Sequence, residues 1–271
     1  MLKYPEIDPV AISIGSVKIH WYALTYIAGL AIAWWLLRRR ASRGHVTWQA
    51  NSSEESVRDV EDIVFYSALG IVLGGRIGSM LFYNFDTFLQ NPLELLKVWQ
   101  GGMSFHGGLL GVLLAMALYA KSKGRTFFQM TDFIAPVVPV GLGLGRIGNF
   151  INGELWGKET TVPWGMEFKG VVRHPSMLYE AVLEGLVMFL VLWFYSRAGR
   201  PTRAISGLFL LLYGVFRFSV EFVRLPDGHI GYLLGGWLTM GQLLSAPMIV
   251  FGILLMFLAY REKTISAGGT A

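Results

Sequence analysis

Long apolar stretches separated by short polar segments make up most of this 271-residue sequence. A helix that crosses a bilayer needs about 20 residues of this kind, and each stretch is close to that length. We therefore predict an all-α, polytopic integral membrane protein with about seven transmembrane helices. The stretches cover residues 17–37, 63–85, 103–120, 133–151, 178–196, 206–223 and 237–259. The stretch at 133–151 is rich in glycine and proline, so this span could be broken.

Two connections are longer than the others, at 38–62 and 152–177. The first contains Ser52, followed by a mixture of acidic and basic residues. This pattern is typical of a capped, amphipathic helix, and we expect a short one there. No other feature divides the chain, so residues 1–271 are expected to form a single transmembrane domain.

The composition supports a membrane protein and narrows its chemistry. Hydrophobic residues make up 54% of the chain and charged residues 15%, whereas an ordinary soluble domain has about 25% charged residues. A soluble globular enzyme is therefore excluded. The chain has no cysteine, which excludes disulfides, thiolate metal sites and a cysteine nucleophile supplied by this chain. Histidine, aspartate and glutamate show no metal-ligand spacing, so we expect no metal and no cofactor.

The positions of lysine and arginine predict the orientation in the membrane. With seven spans, the segments after the first, third and fifth spans and the C-terminus carry 13 of the 23 basic residues. Cytoplasmic loops are enriched in these residues. We therefore expect a periplasmic N-terminus, a cytoplasmic C-terminus and a small extracytoplasmic segment near 152–177. The net charge of +5 reflects these loops rather than binding to nucleic acid. The N-terminus has no small-residue cleavage site, so we expect no cleaved signal peptide.

Three arginines lie inside apolar stretches, where each costs at least about 2.5–3.5 kcal/mol to insert at mid-helix. They are Arg76, Arg146 and Arg217. In the predicted orientation, all three fall in the later part of spans that run from the inside to the outside. We therefore expect one polar site at the extracytoplasmic leaflet, open to lipid.

The residues around Arg217 share one face of the predicted helix. The spacing of i, i+4, i+8 and i+11 joins Tyr213, Arg217, Glu221 and Arg224. This face could form part of a polar site. A pair between Arg217 and Glu221 that only locks helix packing is the alternative.

The two other arginines lie in similar short motifs. Gly75-Arg76-Ile77-Gly78 is repeated as Gly145-Arg146-Ile147-Gly148, and we interpret these glycines as sites of close helix packing. Beside Arg146, small residues and the amide of Asn149 favour ligand binding, because a ligand can approach the backbone there. For Arg76, packing and function remain equally open.

Other polar residues in apolar surroundings need partners. His106 is flanked by glycines, which suggests a re-entrant or strained entry to the third span. It could act as a general base or have only a structural hydrogen bond.

Glu180 and Glu184 are one helical turn apart, so a cation or a proton should lie between them. Arg173 and His174 are near enough to supply it, and a structural network is expected.

The segment from Gly145 to Gly157 resembles the G-R-x-G-N-F-x-N-x-E-x-x-G signature of the prolipoprotein diacylglyceryl transferase family. The resemblance extends over nearly the whole chain, with segment 158–172 short for the family. Other blocks typical of the family follow in order: His20-Trp21-Tyr22, Gly74-Gly75-Arg76, Gly102 to Gly108, Asp132 to Pro136, Arg173 to Ser176 with Tyr179-Glu180, and Tyr213 to Glu221 followed by Arg224.

The resemblance implies an enzyme of the bacterial inner membrane, with one multi-pass catalytic domain and an active site toward the periplasmic leaflet. Its reaction would transfer the diacylglyceryl group of phosphatidylglycerol to the lipobox cysteine thiol of a prolipoprotein. A thioether would form and glycerol phosphate would be released. The implied partners are therefore phosphatidylglycerol, the prolipoprotein signal peptide and the membrane.

The resemblance also implies roles for individual residues. Arg146 would hold the lipid phosphate, and the phosphatidylglycerol site would include Asn149, Glu154 and Gly157. The implied catalytic residues are His106, Arg217, Tyr213, Glu221 and Tyr22. His106 is the first candidate to accept the thiol proton, and a water held by Glu221 or Tyr22 is the second.

A membrane transporter or a lipid-binding scaffold that recognises anionic head groups is the alternative interpretation. Such a protein could bind phosphate with the same arginines. A transporter is expected to have inverted repeats and sites near the bilayer midplane. In this sequence the polar residues are off-centre, and the one internal repeat is parallel and four residues long.

The predicted orientation can be tested with reporter fusions. A reporter that works only in the periplasm should be inactive when it is fused after residue 40 or residue 200. A cytoplasmic reporter at the same positions should be active. Periplasmic activity at either position would invert the topology and move the polar site to the other leaflet.

Overall fold

The computed structural model describes residues 2–15, 17–97, 102–226 and 231–268, and most of them are helical. Each apolar stretch is mostly helical. A short 3₁₀ helix (Pro92–Leu96) follows α3, and a π-helical segment (Ala181–Val187) joins α7 to α8. The helices are α1 (Trp21–Ser42), α2 (Ser53–Phe82), α3 (Phe85–Gln90), α4 (Phe105–Ser122), α5 (Phe127–Ile134), α6 (Val138–Ile151), α7 (Ser176–Glu180), α8 (Met188–Tyr195), α9 (Ala204–Val220) and α10 (Met240–Gly268).

Four helices in the described part of the chain are long and apolar enough to cross a membrane. They are Ser53–Phe82, Phe105–Ser122, Ser176–Tyr195 and Met240–Glu262. The pair α5 and α6 would make a fifth span, broken between its two helices, as the glycine and proline residues of this stretch suggest. The membrane character is thus confirmed, whereas the number of seven spans stays a prediction.

Five short strands depart from the all-α prediction. They are β1 (Leu2–Lys3), β2 (Val10–Ile14), β3 (Val17–His20), β4 (Met166–Phe168) and β5 (Val171–Arg173). β4 pairs with β1 in parallel and with β5 in antiparallel orientation, while β2 and β3 form a hairpin. Strands of two to five residues are too short to produce a readable hydrophobic alternation, so their pairing depends on tertiary contacts.

The chain divides into two compact units. Residues Leu37–Phe133 form the central unit, and the segments up to Leu36 and from Ile134 onward form the terminal unit. α2 and α4 belong to the central unit. α6 to α10 belong to the terminal unit.

Glycines hold α2 and α4 together in the central unit. A Cβ atom added at Gly74 would collide with the carbonyl oxygen of Gly107, and one at Gly78 would lie 2.8 Å from the Gly107 Cα. α4 begins as a regular helix, because Ser104 Oγ accepts a hydrogen bond from the Gly107 N–H at 3.2 Å. Over the described residues 102–122 the chain shows no re-entrant segment, and Gly102 before the helix has a left-handed φ of 71°. The expected re-entrant or strained entry otherwise stays a prediction. The glycines beside His106 serve helix contact.

The polar connection after α1 differs from its prediction in one respect. Ser52 caps a helix as expected, because its side chain accepts from the Glu55 N–H at 3.1 Å. Glu55 in turn accepts from the Asn51 N–H at 3.1 Å. However, no separate short helix forms. α2 continues from Ser53 through the apolar stretch, since no proline interrupts it.

Close packing also organises the terminal unit. A Cβ atom added at Gly185 would lie 2.7 Å from the Gly143 Cα, so the π-helical segment contacts α6 backbone to backbone. At the C-terminal end of α6, the Tyr4 hydroxyl donates to the carbonyl oxygens of Phe150 and Ile151, both at 2.9 Å. The N-terminal segment thus holds the end of α6 in place.

The contact between α2 and α4 predicts a stability difference between two glycine substitutions. Gly74→Ala should lower the free energy of unfolding by about 1–3 kcal/mol, the usual cost of overpacking. The matched control is Gly141→Ala on α6, where an added Cβ meets nothing within 4 Å. The control should be neutral or stabilising by up to about 1 kcal/mol, because alanine favours helices. Thermal unfolding in detergent measures both, and equal midpoints would contradict the packing assignment.

Candidate active site

A fully buried carboxylate, Glu180, is surrounded by three arginines of the terminal unit. Arg224 Nη1 donates to Glu180 Oε1 at 2.8 Å, and Arg217 Nη1 donates to the same oxygen. Arg146 Nε forms an ion pair with Oε2 at 2.7 Å. The arginines come from α6, from α9 and from the turn after α9. Glu180 therefore joins these elements, which explains how three guanidinium groups are stable in this position.

Glu221 is a second buried acceptor in this group. Its Oε1 lies 2.6 Å from Arg217 Nη2 and 3.5 Å from Arg224 Nε. Its Oε2 accepts a hydrogen bond from Thr239 Oγ1 at 2.6 Å. The i, i+4 ion pair of Arg217 and Glu221 is thus present. It is part of a larger network of ion pairs rather than an isolated contact between two side chains.

Glu184 completes the group but is poorly paired. It is fully buried, and neither of its carboxylate oxygens makes a hydrogen bond within the described residues. Its closest ion-pair partner is Arg146 Nη2, at 3.9 Å. We call this set the arginine–glutamate cluster: Arg146, Arg217, Arg224, Glu180, Glu184 and Glu221. With all groups ionised, its three positive and three negative charges balance.

Of the three arginines in the cluster, Arg146 is the most exposed and the least completely paired with carboxylates. Its side chain is 21% exposed, compared with 15% for Arg217 and 10% for Arg224. Its Nε is held by Glu180, but among the described residues its Nη1 has no partner and its Nη2 has only the distant Glu184. A guanidinium with free donors matches the geometry of a phosphate group. Arg146 can therefore bind an anion while it remains held in place.

The turn after α6, the helix of this arginine, holds the carboxylate of Glu154 in place. Asn149 Nδ2 donates to Glu154 Oε2 at 3.1 Å, and Asn152 Nδ2 donates to Oε1 at 3.3 Å. The Glu154 N–H donates to the Asn149 carbonyl oxygen at 2.9 Å. The Glu154 side chain is exposed, so the turn presents an oriented carboxylate at the surface of the unit.

Tyr22 packs on the glycine face of α6. A Cβ atom added at Gly148 would lie 2.9 Å from Tyr22 Cδ2, and one at Gly145 would lie 3.4 Å from the Tyr26 hydroxyl. The two tyrosine hydroxyls are 3.1 Å apart. The glycines on either side of Arg146 thus make room for two phenol groups, which places polar hydroxyls along the same helix as Arg146.

Comparison with known proteins identifies the group of enzymes to which this arrangement belongs. The family model described as prolipoprotein diacylglyceryl transferase matches residues 9–258. The chain belongs to this family. Its relatives include proteins named phosphatidylglycerol–prolipoprotein diacylglyceryl transferase from three bacteria. The protein from Methylococcus capsulatus is 57% identical over 267 residues, covering 97% of this chain and all of the relative. The protein from Ectopseudomonas mendocina is 54% identical over 269 residues, covering 98% of each chain. The protein from Pseudomonas aeruginosa is 55% identical over 265 residues, covering 97% of each chain.

Family membership confirms the resemblance found in the sequence, and the chain is a transferase. Among the residues that the resemblance implied, Arg146, Arg217 and Glu221 meet in the arginine–glutamate cluster. Tyr213 lies one turn before Arg217, where its ring stacks on Phe209 with 6.2 Å between centroids. Asn149 lies in the C-terminal half of α6 and Glu154 in the turn after it, while Tyr22 of α1 packs against α6 at Gly148.

Gly157 lies where three backbone segments cross. Its N–H donates to the His174 carbonyl oxygen at 2.8 Å, and it forms an isolated β-bridge with Arg224. A Cβ atom at this position would lie 2.5 Å from the Val223 carbonyl oxygen and 2.8 Å from the His174 Cβ. Only glycine fits here without a steric clash, and its close approach allows the backbone of residue 157 to pair with that of Arg224. Its implied role in lipid binding stays a prediction.

His106 and Arg76 lie in the central unit. His106 is exposed in the first turn of α4, with its ring edge-on to Phe105. Arg76 is buried, and its guanidinium donates to the carbonyl oxygens of Glu94 at 2.6 Å and Leu95 at 3.2 Å. These hydrogen bonds favour a structural role for Arg76. The catalytic role of His106 stays a prediction.

The expected partners of the two glutamates on the fifth apolar stretch were wrong. Arg173 pairs with Glu159 at 3.6 Å, and His174 Nδ1 lies 3.1 Å from the Tyr179 hydroxyl. Burial also lowers the pKa of His174, so this ring is neutral at pH 7 and supplies no cation. Glu180 instead receives cations from other helices. A carboxylate in an apolar stretch indicates that a partner exists, but only the fold brings that partner near.

The role of Glu180 predicts a large stability effect. Glu180→Gln keeps the shape of the side chain but removes the negative charge that three arginines share. Breaking a buried ion pair in this way should lower the free energy of unfolding by about 3–5 kcal/mol. The control is Glu159→Gln, a 71% exposed carboxylate, which should change it by about 1 kcal/mol or less. Unfolding in detergent measures both variants, and similar midpoints would contradict the central position of Glu180.

Proposed function

We propose that this chain transfers the diacylglyceryl group of phosphatidylglycerol to the lipobox cysteine thiol of a prolipoprotein. The product is a thioether, and glycerol phosphate is released. The observation that carries this proposal is Arg146, which is anchored through Nε at 2.7 Å, whereas its Nη2 has only a 3.9 Å contact with Glu184 and its Nη1 has no partner among the described residues. The names of the relatives state the same lipid and the same class of protein substrate.

The reaction requires a nucleophile that this chain does not contain. The chain has no cysteine, so the thiol arrives with the prolipoprotein. A free thiol has a pKa of about 8.5, and its deprotonation at pH 7 costs about 2 kcal/mol. The sulfur then forms a bond to the carbon of the diacylglyceryl unit that carries the phosphate ester. The bond from that carbon to the phosphate oxygen breaks, and its electron pair stays on the leaving phosphate.

Arg146 stabilises the charge that develops on this leaving group. The electrostatic effect is large because the guanidinium is oriented before the lipid binds and needs no reorganisation. Glu180 and Glu221 balance the charges of Arg217 and Arg224 and orient their guanidinium groups, so that Arg217 can supply a further donor to the developing charge. Asn149 and Glu154 provide an amide and a carboxylate that can bind the hydroxyl groups of the glycerol head.

The proton of the thiol needs an acceptor. His106 is our first choice, because its side chain is exposed and imidazole is the side chain that most often acts as a general base. A water held by Glu221 or Tyr22 is the second choice. Both oxygens of Glu221 already have partners, which argues against this residue acting as the base itself.

We also propose that the chain forms one multi-pass catalytic domain in the bacterial inner membrane. It would have seven spans, a periplasmic N-terminus, a cytoplasmic C-terminus and an active site toward the periplasmic leaflet. The distribution of lysine and arginine supports this orientation. Segment 152–177, which contains β4 and β5, would then lie outside the membrane on the periplasmic side.

The proposed activity can be measured by mass spectrometry. Purified protein is incubated with phosphatidylglycerol and a peptide that carries a lipobox cysteine, and the peptide should gain the mass of a diacylglyceryl group. Arg146→Ala should reduce the rate at least about 100-fold, the usual loss when a transition-state donor is removed. Arg146→Lys should also lose most activity, since an ammonium group lacks the planar fork.

The control variant is Arg38→Ala, which changes an arginine with a half-exposed side chain in the central unit and should keep full activity. Absence of addition by folded wild-type protein would refute the enzyme assignment. Binding of phosphatidylglycerol without any transfer would instead favour a lipid-binding scaffold.

A further inference from the structure

The N-terminal turn of α10 packs directly on the arginine–glutamate cluster. Thr239, the residue before this helix, is buried and donates its hydroxyl proton to Glu221 Oε2 at 2.6 Å. The same hydroxyl accepts from the Gln242 N–H at 3.2 Å. Gln242 Oε1 accepts from the Thr239 N–H at 3.0 Å. These reciprocal bonds form a capping box, which holds the Thr239 hydroxyl in one orientation.

Gly241 provides the space for the Glu221 carboxylate. A Cβ atom added at Gly241 would lie 2.5 Å from Glu221 Cδ and 2.7 and 2.9 Å from its two oxygens. The carboxylate therefore rests on the backbone of the first turn. None of these three residues, Thr239, Gly241 and Gln242, was predicted from the sequence as part of the site.

We infer that Thr239 and Gly241 are positioning residues for the proposed transfer reaction. They orient Glu221, and Glu221 in turn orients the guanidinium of Arg217. With Oε2 occupied by the Thr239 hydroxyl, Oε1 is left to face Arg217 Nη2 and Arg224 Nε. Arg217 then reaches Glu180 with its other nitrogen, Nη1. This inference rests on the proposed function, because the positioning matters only if these arginines act on a substrate.

The geometry predicts which kinetic parameter depends on this contact. Glu221 has no ion pair with Arg146, the residue proposed to bind the lipid phosphate, within the described residues. Loss of the Thr239 contact should therefore leave the KM for phosphatidylglycerol nearly unchanged. The kcat should fall, because the orientation of Arg217 in the transition state is lost.

The experiment compares four variants in the lipobox peptide assay. Thr239→Val removes the hydroxyl, and Gly241→Ala displaces Glu221 while it leaves the hydroxyl in place. Each should lower kcat roughly 10- to 100-fold, as small misplacements of catalytic groups do. Thr239→Ser keeps the hydroxyl, and Gly141→Ala adds a methyl group in open space. Both should keep kcat within about twofold of wild type. Wild-type kcat in Thr239→Val or Gly241→Ala, or a raised KM with unchanged kcat, would overturn the inference.

A second measurement does not depend on activity. The thermal midpoints of Thr239→Val, Glu221→Gln and the double variant form a mutant cycle. If the Thr239 hydroxyl and the Glu221 carboxylate are hydrogen-bonded, the shifts of the thermal midpoint should be non-additive. The second substitution should then lower the midpoint by less once the first has been made. Additive shifts would overturn the inference even if the enzyme is active. If wild-type protein transfers nothing, the proposed function fails, while the cycle still decides whether Thr239 holds Glu221.

Discussion

The arrangement of the terminal unit depends on how one buried carboxylate, Glu180, is neutralised. An unpaired charge in an apolar interior is strongly destabilising, so Glu180 and the arginines around it require one another. The three arginines come from different elements of the chain, and each can reach Glu180 only if α6, α7 and α9 pack in one way. The close approach of Gly143 and Gly185 makes this packing possible. The electrostatic requirement and the steric requirement therefore select the same arrangement.

The same network explains why one arginine is available for chemistry. Arg217 and Arg224 each have two carboxylates within 3.5 Å, whereas Arg146 has one at 2.7 Å and a second only at 3.9 Å. Full neutralisation of all three would give a stable but inert cluster. Partial pairing leaves a positive group that is already oriented and partly exposed. This is the property expected of a site that binds the phosphate of a lipid and stabilises it as a leaving group, in agreement with the family to which the chain belongs.

Glycine residues have two different tasks in this protein, although their motifs look alike. At Gly74, Gly78 and Gly107 they let two helices of the central unit touch backbone to backbone. At Gly148 and Gly241 they make room for a functional side chain, a tyrosine ring in one case and a carboxylate in the other. The repeated motif around Arg76 and Arg146 follows this division. Arg76 donates to loop carbonyl oxygens of the central unit, whereas Arg146 Nη1 has no partner among the described residues.

The sequence by itself determined the membrane character, the helical stretches, the family and the residues that are too polar for their surroundings. These follow from local composition and spacing, which need no knowledge of contacts. The short strands and the partners of Glu180 could not be predicted, because they depend on residues distant in the chain. The continuous helix α2, in contrast, agrees with the local absence of proline, although a separate short helix was expected there. Arg173 and His174 were close to Glu180 in sequence, yet the cations that reach it are Arg146, Arg217 and Arg224. Only the tertiary structure decided these pairings, since a buried charge is neutralised by whichever opposite charge the helix packing brings within a few ångströms.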